Sequence, residues 1–137
     1  MARSVDNNGV GALYATFQID TTAGVYDLTI NNLGDAVSLS ASNEVDHGSD
    51  GGVLLGRLEH VGDGLATVQI AGVARFALNT DKTAPVVGNG VVVDGAGKVY
   101  KAPAIAEGSD VPAGGNPARG MVIAVDSVNH TCDVLLG

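Results

Sequence analysis

Apolar and polar residues alternate with a period of two along most of this chain, the spacing of a half-buried strand rather than a helix. Tyr26, Leu28 and Ile30 share one face, with Asp27 and Thr29 opposite. Val37, Leu39 and Ala41 alternate with Ser38 and Ser40, and Val68 and Ile70 with Thr67 and Gln69. Met121, Ile123 and Val125 read as a further strand, followed by one carrying Cys132, Val134 and Leu136. No stretch shows a helical stripe over three turns. Clusters of Asn, Asp and Gly separate these runs: Asn31 to Asp35, Gly62-Asp63-Gly64, Asp94 to Gly97 and Asp126 to His130. Such residues accept left-handed backbone cheaply, so each cluster predicts a hairpin connection. The expected fold class is all-β: a single-domain sandwich or partly open barrel of about eight to ten short strands.

Three stretches break the pattern. Residues 1–11 are polar and predict a flexible N-terminal arm ahead of a single β domain at 12–137. Asn43 to Gly52 reads as a polar loop, and Pro103 to Pro117, with three of the four prolines, as a long surface excursion.

Composition sharpens this picture. Twenty glycines and a core drawn from valine, alanine and leucine, with five aromatics and no tryptophan, predict a thin core that gains from a subunit interface. The net charge of −8 argues against nucleic acid, which needs a surplus of Lys and Arg, and against an anionic membrane surface. The start turns polar before a signal-peptide core forms, which predicts no classical export. Cys132 stands alone, excluding an intrachain disulfide and a cysteine zinc cage.

Candidate chemistry fails on spacing. Asp46-His47-Gly48-Ser49-Asp50-Gly51 begins like a calcium loop, but Gly48 holds the third ligand position and Arg57 the twelfth. Gly88 to Lys98 lacks the first glycine of a phosphate loop, where Val92 sits, and its hydroxyl, where Val99 sits. His47, His60 and His130 form no ligand pair, and no Gly-x-Ser-x-Gly elbow is present. Cys132, among alternating apolar residues, reads as a small packed side chain. Asn129-His130-Thr131 fits a glycosylation triplet that stays unmodified without export. The segment Ala23-Gly24-Val25-Tyr26-Asp27-Leu28 resembles a motif of dUTPases, trimeric β-barrel enzymes, but Val25 interrupts it. Tyr26 then reads as a core residue and Asp27 as its solvated neighbour. No catalytic residue, cofactor site or metal site is expected.

From Val53 onward the chain resembles the capsid cement, or head decoration, proteins of tailed bacteriophages. The residues carrying the resemblance are Val53 to Leu58, Gly64 to Phe76, Val87 to Val91, Asp94 to Val99, Arg119 to Val125 and Val134 to Gly137. They repeat that family's order of a strand, an Asp-Gly hairpin, a Gly-Val-Ala strand and a final valine-rich strand. The resemblance implies a structural virion protein, not an enzyme, that binds the major capsid protein on the capsid exterior after residence in the host cytoplasm. It also implies a homo-oligomer, a trimer at local three-fold positions.

Two other classes stay open. One is a phage tail or adhesin β-sandwich that binds a receptor or glycan, for which five aromatics leave few exposed platforms. The other is the dUTPase-type barrel. For the cement reading, the candidate capsid or inter-subunit contacts are Arg3, Val5 and Val10. Val5 and Val10 are the sizeable apolar residues of an arm too poor in them to fix itself to its own core, and Arg3 is the basic residue that precedes an acidic stretch.

Overall fold

In the computed structural model, residues 5–104 and 117–137 are described. Arg3 and most of the Pro103–Pro117 stretch lie outside them. Among the described residues twelve strands account for the alternation, more than expected because two are only two residues long. In chain order they are β1 (Leu13–Ile19), β2 (Thr21–Thr22), β3 (Val25–Tyr26), β4 (Ala36–Ala41), β5 (Glu44–Asp46) and β6 (Gly56–Gly62). Then come β7 (Leu65–Ala71), β8 (Val73–Ala77), β9 (Val91–Val93), β10 (Val99–Lys101), β11 (Met121–Asp126) and β12 (Thr131–Leu135). A short 3-10 turn, Ile30–Asn32, is capped by the Thr29 hydroxyl.

The first half closes into a five-stranded barrel in the order β1-β5-β4-β6-β7. Closure depends on one parallel pairing, in which Gln18 and Ile19 of β1 lie beside Glu44 and Val45 of β5. Ile19, Leu28, Val37, Val45, Leu58, Ala66 and Val68 fill this barrel. The hairpin between β6 and β7 turns at Asp63 and Gly64, whose φ angles of 54° and 76° are both positive, as a two-residue turn matched to strand twist requires.

At Gly72 the chain bends out of β7 into β8. Its φ is +79°, and a Cβ there would fall 2.5 Å from the backbone of Val10 and Gly11, so the bend needs glycine twice over. Gln69, almost fully buried, spans the bend by donating to the carbonyls of Ala71 and Val73 at 3.0 Å each. Beyond it β8, β12 and β11 form one sheet, and β9 and β10 a ribbon. Isolated bridges join the two, Leu78 beside Val99 and Val91 beside Arg119. The result is a second ring around Phe76, Leu54, Val93, Val99, Val122 and Val134, with Cys132 inside it. Burial pushes the Cys132 thiol up to about 12, which leaves it protonated and inert.

Several side chains depart from strict alternation. Leu39 is 53% exposed while Ser38 is buried, its hydroxyl donating to the Val53 carbonyl at 2.6 Å. Met121 is exposed and Val122 fully buried. Both strands also carry a bulge further along, between Leu39 and Ala41 and between Val122 and Ala124. Part of the expected Asn43–Gly52 loop is β5, with Val45 in the core.

Residues 6–10 lie against β8 instead of standing free. The Gly9 amide donates to the Val73 carbonyl at 2.8 Å, and the Val73 amide to the Val10 carbonyl at 2.9 Å. Asn8 Oδ1 accepts from the Arg75 amide and Asp6 Oδ1 from the Arg75 guanidinium. The expectation of a free arm rested on its few apolar anchors, and the anchors here are main-chain and ionic.

Candidate functional site

The outer face of the β8-β12-β11 sheet borders a cleft lined by the charged side chains of Asp6, Arg75, Asp126 and Asp133. Its register aligns Arg75 of β8 with Asp133 of β12, and Asp133 with Ala124 of β11. Period-two geometry therefore puts these three in one row, with Ala77, Thr131 and Asp126 in the next but one. Arg75 Nε donates to Asp133 Oδ1 at 2.8 Å and its Nη2 to Oδ2 at 3.2 Å, a two-pronged pair. That hydrogen bond is the main cause raising the Arg75 pKa. Asp126 folds back on its own turn, accepting from the amides of Val128 and Asn129 and from the Asn129 side chain. Val5 and Asp6 form the opposite wall of a cleft of about 510 Å³ that is open to solvent.

Three aspartates, Asp6, Asp126 and Asp133, thus face one arginine. The Asn8 amide, and then Arg75, hold Asp6 below the usual carboxylate range. The Asn129 amide does the same for Asp126, and the Tyr100 hydroxyl and Lys82 for Asp50. A carboxylate whose folded pKa is depressed adds stability above its unfolded value, and that stability is lost as pH falls through the folded value. The melting temperature is therefore expected to stay level from pH 7 to about 5 and to fall below about pH 4. A scan by circular dichroism checks this.

Of the residues singled out in the sequence, Val5 lines the cleft and is 77% exposed, while Val10 is 59% exposed beside Gly72. The two are not brought together in one pocket. Sequence reasoning missed Arg75 and Asp133. Alternation within Cys132-Asp133-Val134 does point Asp133 outward, but its partner lies 58 positions away and carries no local signal.

A second acidic group lies at the barrel. Carboxylate oxygens of Asp20, Asp27 and Asp46 lie within 4.8 Å of one another, the all-oxygen donor set a hard cation takes. Asp46 opened the calcium-like stretch, but its companions come from the β2-β3 region, not from later in that loop. Like charges this close repel. Asp27, whose side chain makes no hydrogen bond among the described residues, is the one to neutralise: Asp27→Asn is expected to raise the melting temperature by about 2–4 °C in chelator-treated buffer. Differential scanning calorimetry decides it.

Other sequence candidates resolve locally. Tyr26 is half exposed and lies over Gly64, while Asp27 is partly buried, reversing the expected core and solvent roles. In the Asp94–Gly97 hairpin, Asp94 Oδ1 accepts from the amides of Ala96 and Lys98, so a carboxylate of the chain itself occupies the amides a phosphate would need. His47 Nε2 lies 2.8 Å from Asp35 Oδ2, and His130 takes a positive φ of 55° in the β11-β12 turn. Asn129 of the glycosylation triplet is bonded to Asp126 in that same turn.

At the end of the barrel, Val25, Tyr26 and Ile30 are 67%, 51% and 72% exposed. Tyr26 and Ile30 border a shallow apolar depression floored by Leu28 and Val61. No protein-family model matches the chain, and no curated protein matches it.

Proposed function

We propose that this chain is a structural protein that binds the outer surface of a bacteriophage capsid and stabilises the shell. The single observation that carries the reading is the β8-β12-β11 sheet, whose outer strands lie largely in the stretches of the resemblance and whose β11 edge is unpaired from Ala124 to Asp126 among the described residues. Such an edge binds by main-chain hydrogen bonds and asks little of side-chain identity, which suits attachment to a protein lattice. Many weakly held copies on a symmetric shell act together, so modest contacts suffice. The net charge of −8 keeps free copies apart in the host cytoplasm before they reach the capsid exterior.

The partners in this reading are the major capsid protein and like copies of the chain, as a homotrimer. The barrel-end surface at Val25, Tyr26 and Ile30 supplies the apolar contact between copies. Ile30→Asp is expected to convert the oligomer to monomer in sedimentation velocity without lowering the melting temperature of the monomer. A wild-type chain that sediments as a monomer at all concentrations contradicts the shared interface.

Shell stabilisation itself is tested by heating expanded heads that lack decoration. Heads incubated with the protein should break at a higher temperature than bare heads. Identical breakage would count against the function.

A further inference from the structure

The sheet that carries the acidic cleft has two edges, and they are treated differently. Residues 8–10 cover the β8 edge with the main-chain and side-chain bonds described above. On β11, Val122 is engaged on its outer side by Gly88 and Asn89. From Ala124 to Asp126 no strand lies beside β11 on that side among the described residues, and all three are exposed. An unpaired edge is a template for another strand unless something blunts it.

The bulge between Val122 and Ala124 sets what that edge presents. It brings Ala124 into the row of Asp133 and Arg75, and both Ala124 and Asp126 line the cleft. A strand added beside β11 would lie about 4.8 Å from it and about 10 Å from β12. A side chain of that strand in the Ala124 row passes over a single methyl group before it meets Asp133. Two residues along, the same face of the added strand meets Asp126. The Asp133 oxygens that accept from Arg75 retain lone pairs, since a carboxylate offers about four acceptor sites.

We propose that Ala124–Asp126 is a docking edge for an extended segment of a partner protein that carries Arg or Lys at alternate positions. Its main chain pairs with β11 and its basic heads lie across Ala124 toward Asp133 and beside Asp126. Charge complementarity selects this occupant, because three aspartates against one arginine leave the face acidic. A second copy is the wrong occupant, since edge-to-edge pairing would bring the same aspartates together. The inference rests on the capsid-docking reading for the partner being a shell protein, and it adds the chemistry of the segment that docks.

The experiment titrates the labelled full-length protein with a capped seven-residue peptide of alternating threonine and arginine, followed by amide chemical shifts. A peptide with glutamate in place of arginine is the control. The expected result is a set of shifts centred on residues 124–126 and 133, weakened by salt, and absent with the glutamate peptide. Ala124→Arg fills the row with the chain's own cation and should weaken peptide binding at least tenfold while the rest of the spectrum stays folded. Val125→Pro, which removes an edge amide, is the second variant and should do the same. Shifts centred elsewhere, no shifts, equal binding of the glutamate peptide, or binding untouched by Ala124→Arg would each overturn the proposal. So would peptide-free self-association that Ala124→Arg abolishes, which would make the edge a self-pairing surface. Binding of both variants to undecorated heads separates the two levels. Wild type and Ala124→Arg binding equally would sink the docking edge alone, whereas peptide binding without head binding would sink the capsid reading alone.

Discussion

Gly56→Ala is expected to leave the chain largely unfolded at 37 °C. Gly56 opens β6, paired with Val37 of β4, while its neighbour Arg57 pairs with Gln69 of β7. A Cβ on Gly56 would sit 1.8 Å from the Gln69 carbonyl oxygen and 3.0 Å from a Val68 methyl. The oxygen belongs to a strand held by β1 on one side and β6 on the other, so it cannot withdraw without opening the barrel. Overpacking of this severity costs about 3–5 kcal/mol, a large share of the 5–15 kcal/mol that holds a typical domain together. Gly24→Ala is the matched control. No atom lies within 4 Å of its Cβ position, and only the positive φ of 80° is strained, so about 1 kcal/mol is expected. Urea unfolding of the two variants side by side separates steric exclusion from backbone strain.

Arg119→Leu is the second large effect, with an expected loss of about 3 kcal/mol. The guanidinium Nη1 donates to the Leu54 carbonyl at 2.9 Å and also to that of Leu55, and Nη2 donates to the Ile70 carbonyl at 2.8 Å. Burial pulls its pKa down from the usual arginine value, and no carboxylate pairs with it among the described residues. Its partners are thus three main-chain oxygens, from the segment entering β6 and from the end of β7. Arg119 itself is bridged to Val91 of the second ring. The residue clamps ring to barrel. Leucine keeps the packing of the stem and leaves the three carbonyls unmatched. Lysine restores the charge but not the planar fork, so Arg119→Lys should recover less than half of the loss. Equilibrium denaturation of the three proteins measures it.

The strands and turns are legible in the sequence because their cause is local. Alternation at Thr67-Val68-Gln69-Ile70 and positive-φ residues at Asp63-Gly64 each act within a few positions. Gln69 reads as an outward polar residue by that alternation and is buried, because the two carbonyls it satisfies sit across the Gly72 bend. Ser38 and Val122 are buried against partners distant in sequence, the Val53 carbonyl in one case and Gly88 and Asn89 in the other, which leave no mark on the pattern. Val45 is hidden in a polar stretch because a three-residue strand is too short to show a period.

The cleft is the least legible part. Its walls come from residues 5 and 6, β8, β11 and β12, and what joins them is register, not spacing. Arg75 is visible in the sequence only as one residue of the resemblance. Scarcity of apolar groups predicts a free arm, whereas a glycine amide, an asparagine and an aspartate tie residues 6–10 to β8. Gly56 and Arg119 lie within the stretches that carry the resemblance, and packing explains both without any contact to a partner.

The most direct test of capsid docking is binding of the purified protein to expanded phage heads stripped of decoration, measured by co-sedimentation over a range of protein concentrations. A cement role predicts saturable binding with a fixed number of copies per capsid subunit, visible as protrusions at local three-fold positions of the outer surface. Heads that emerge from the gradient without the protein at every concentration would contradict it.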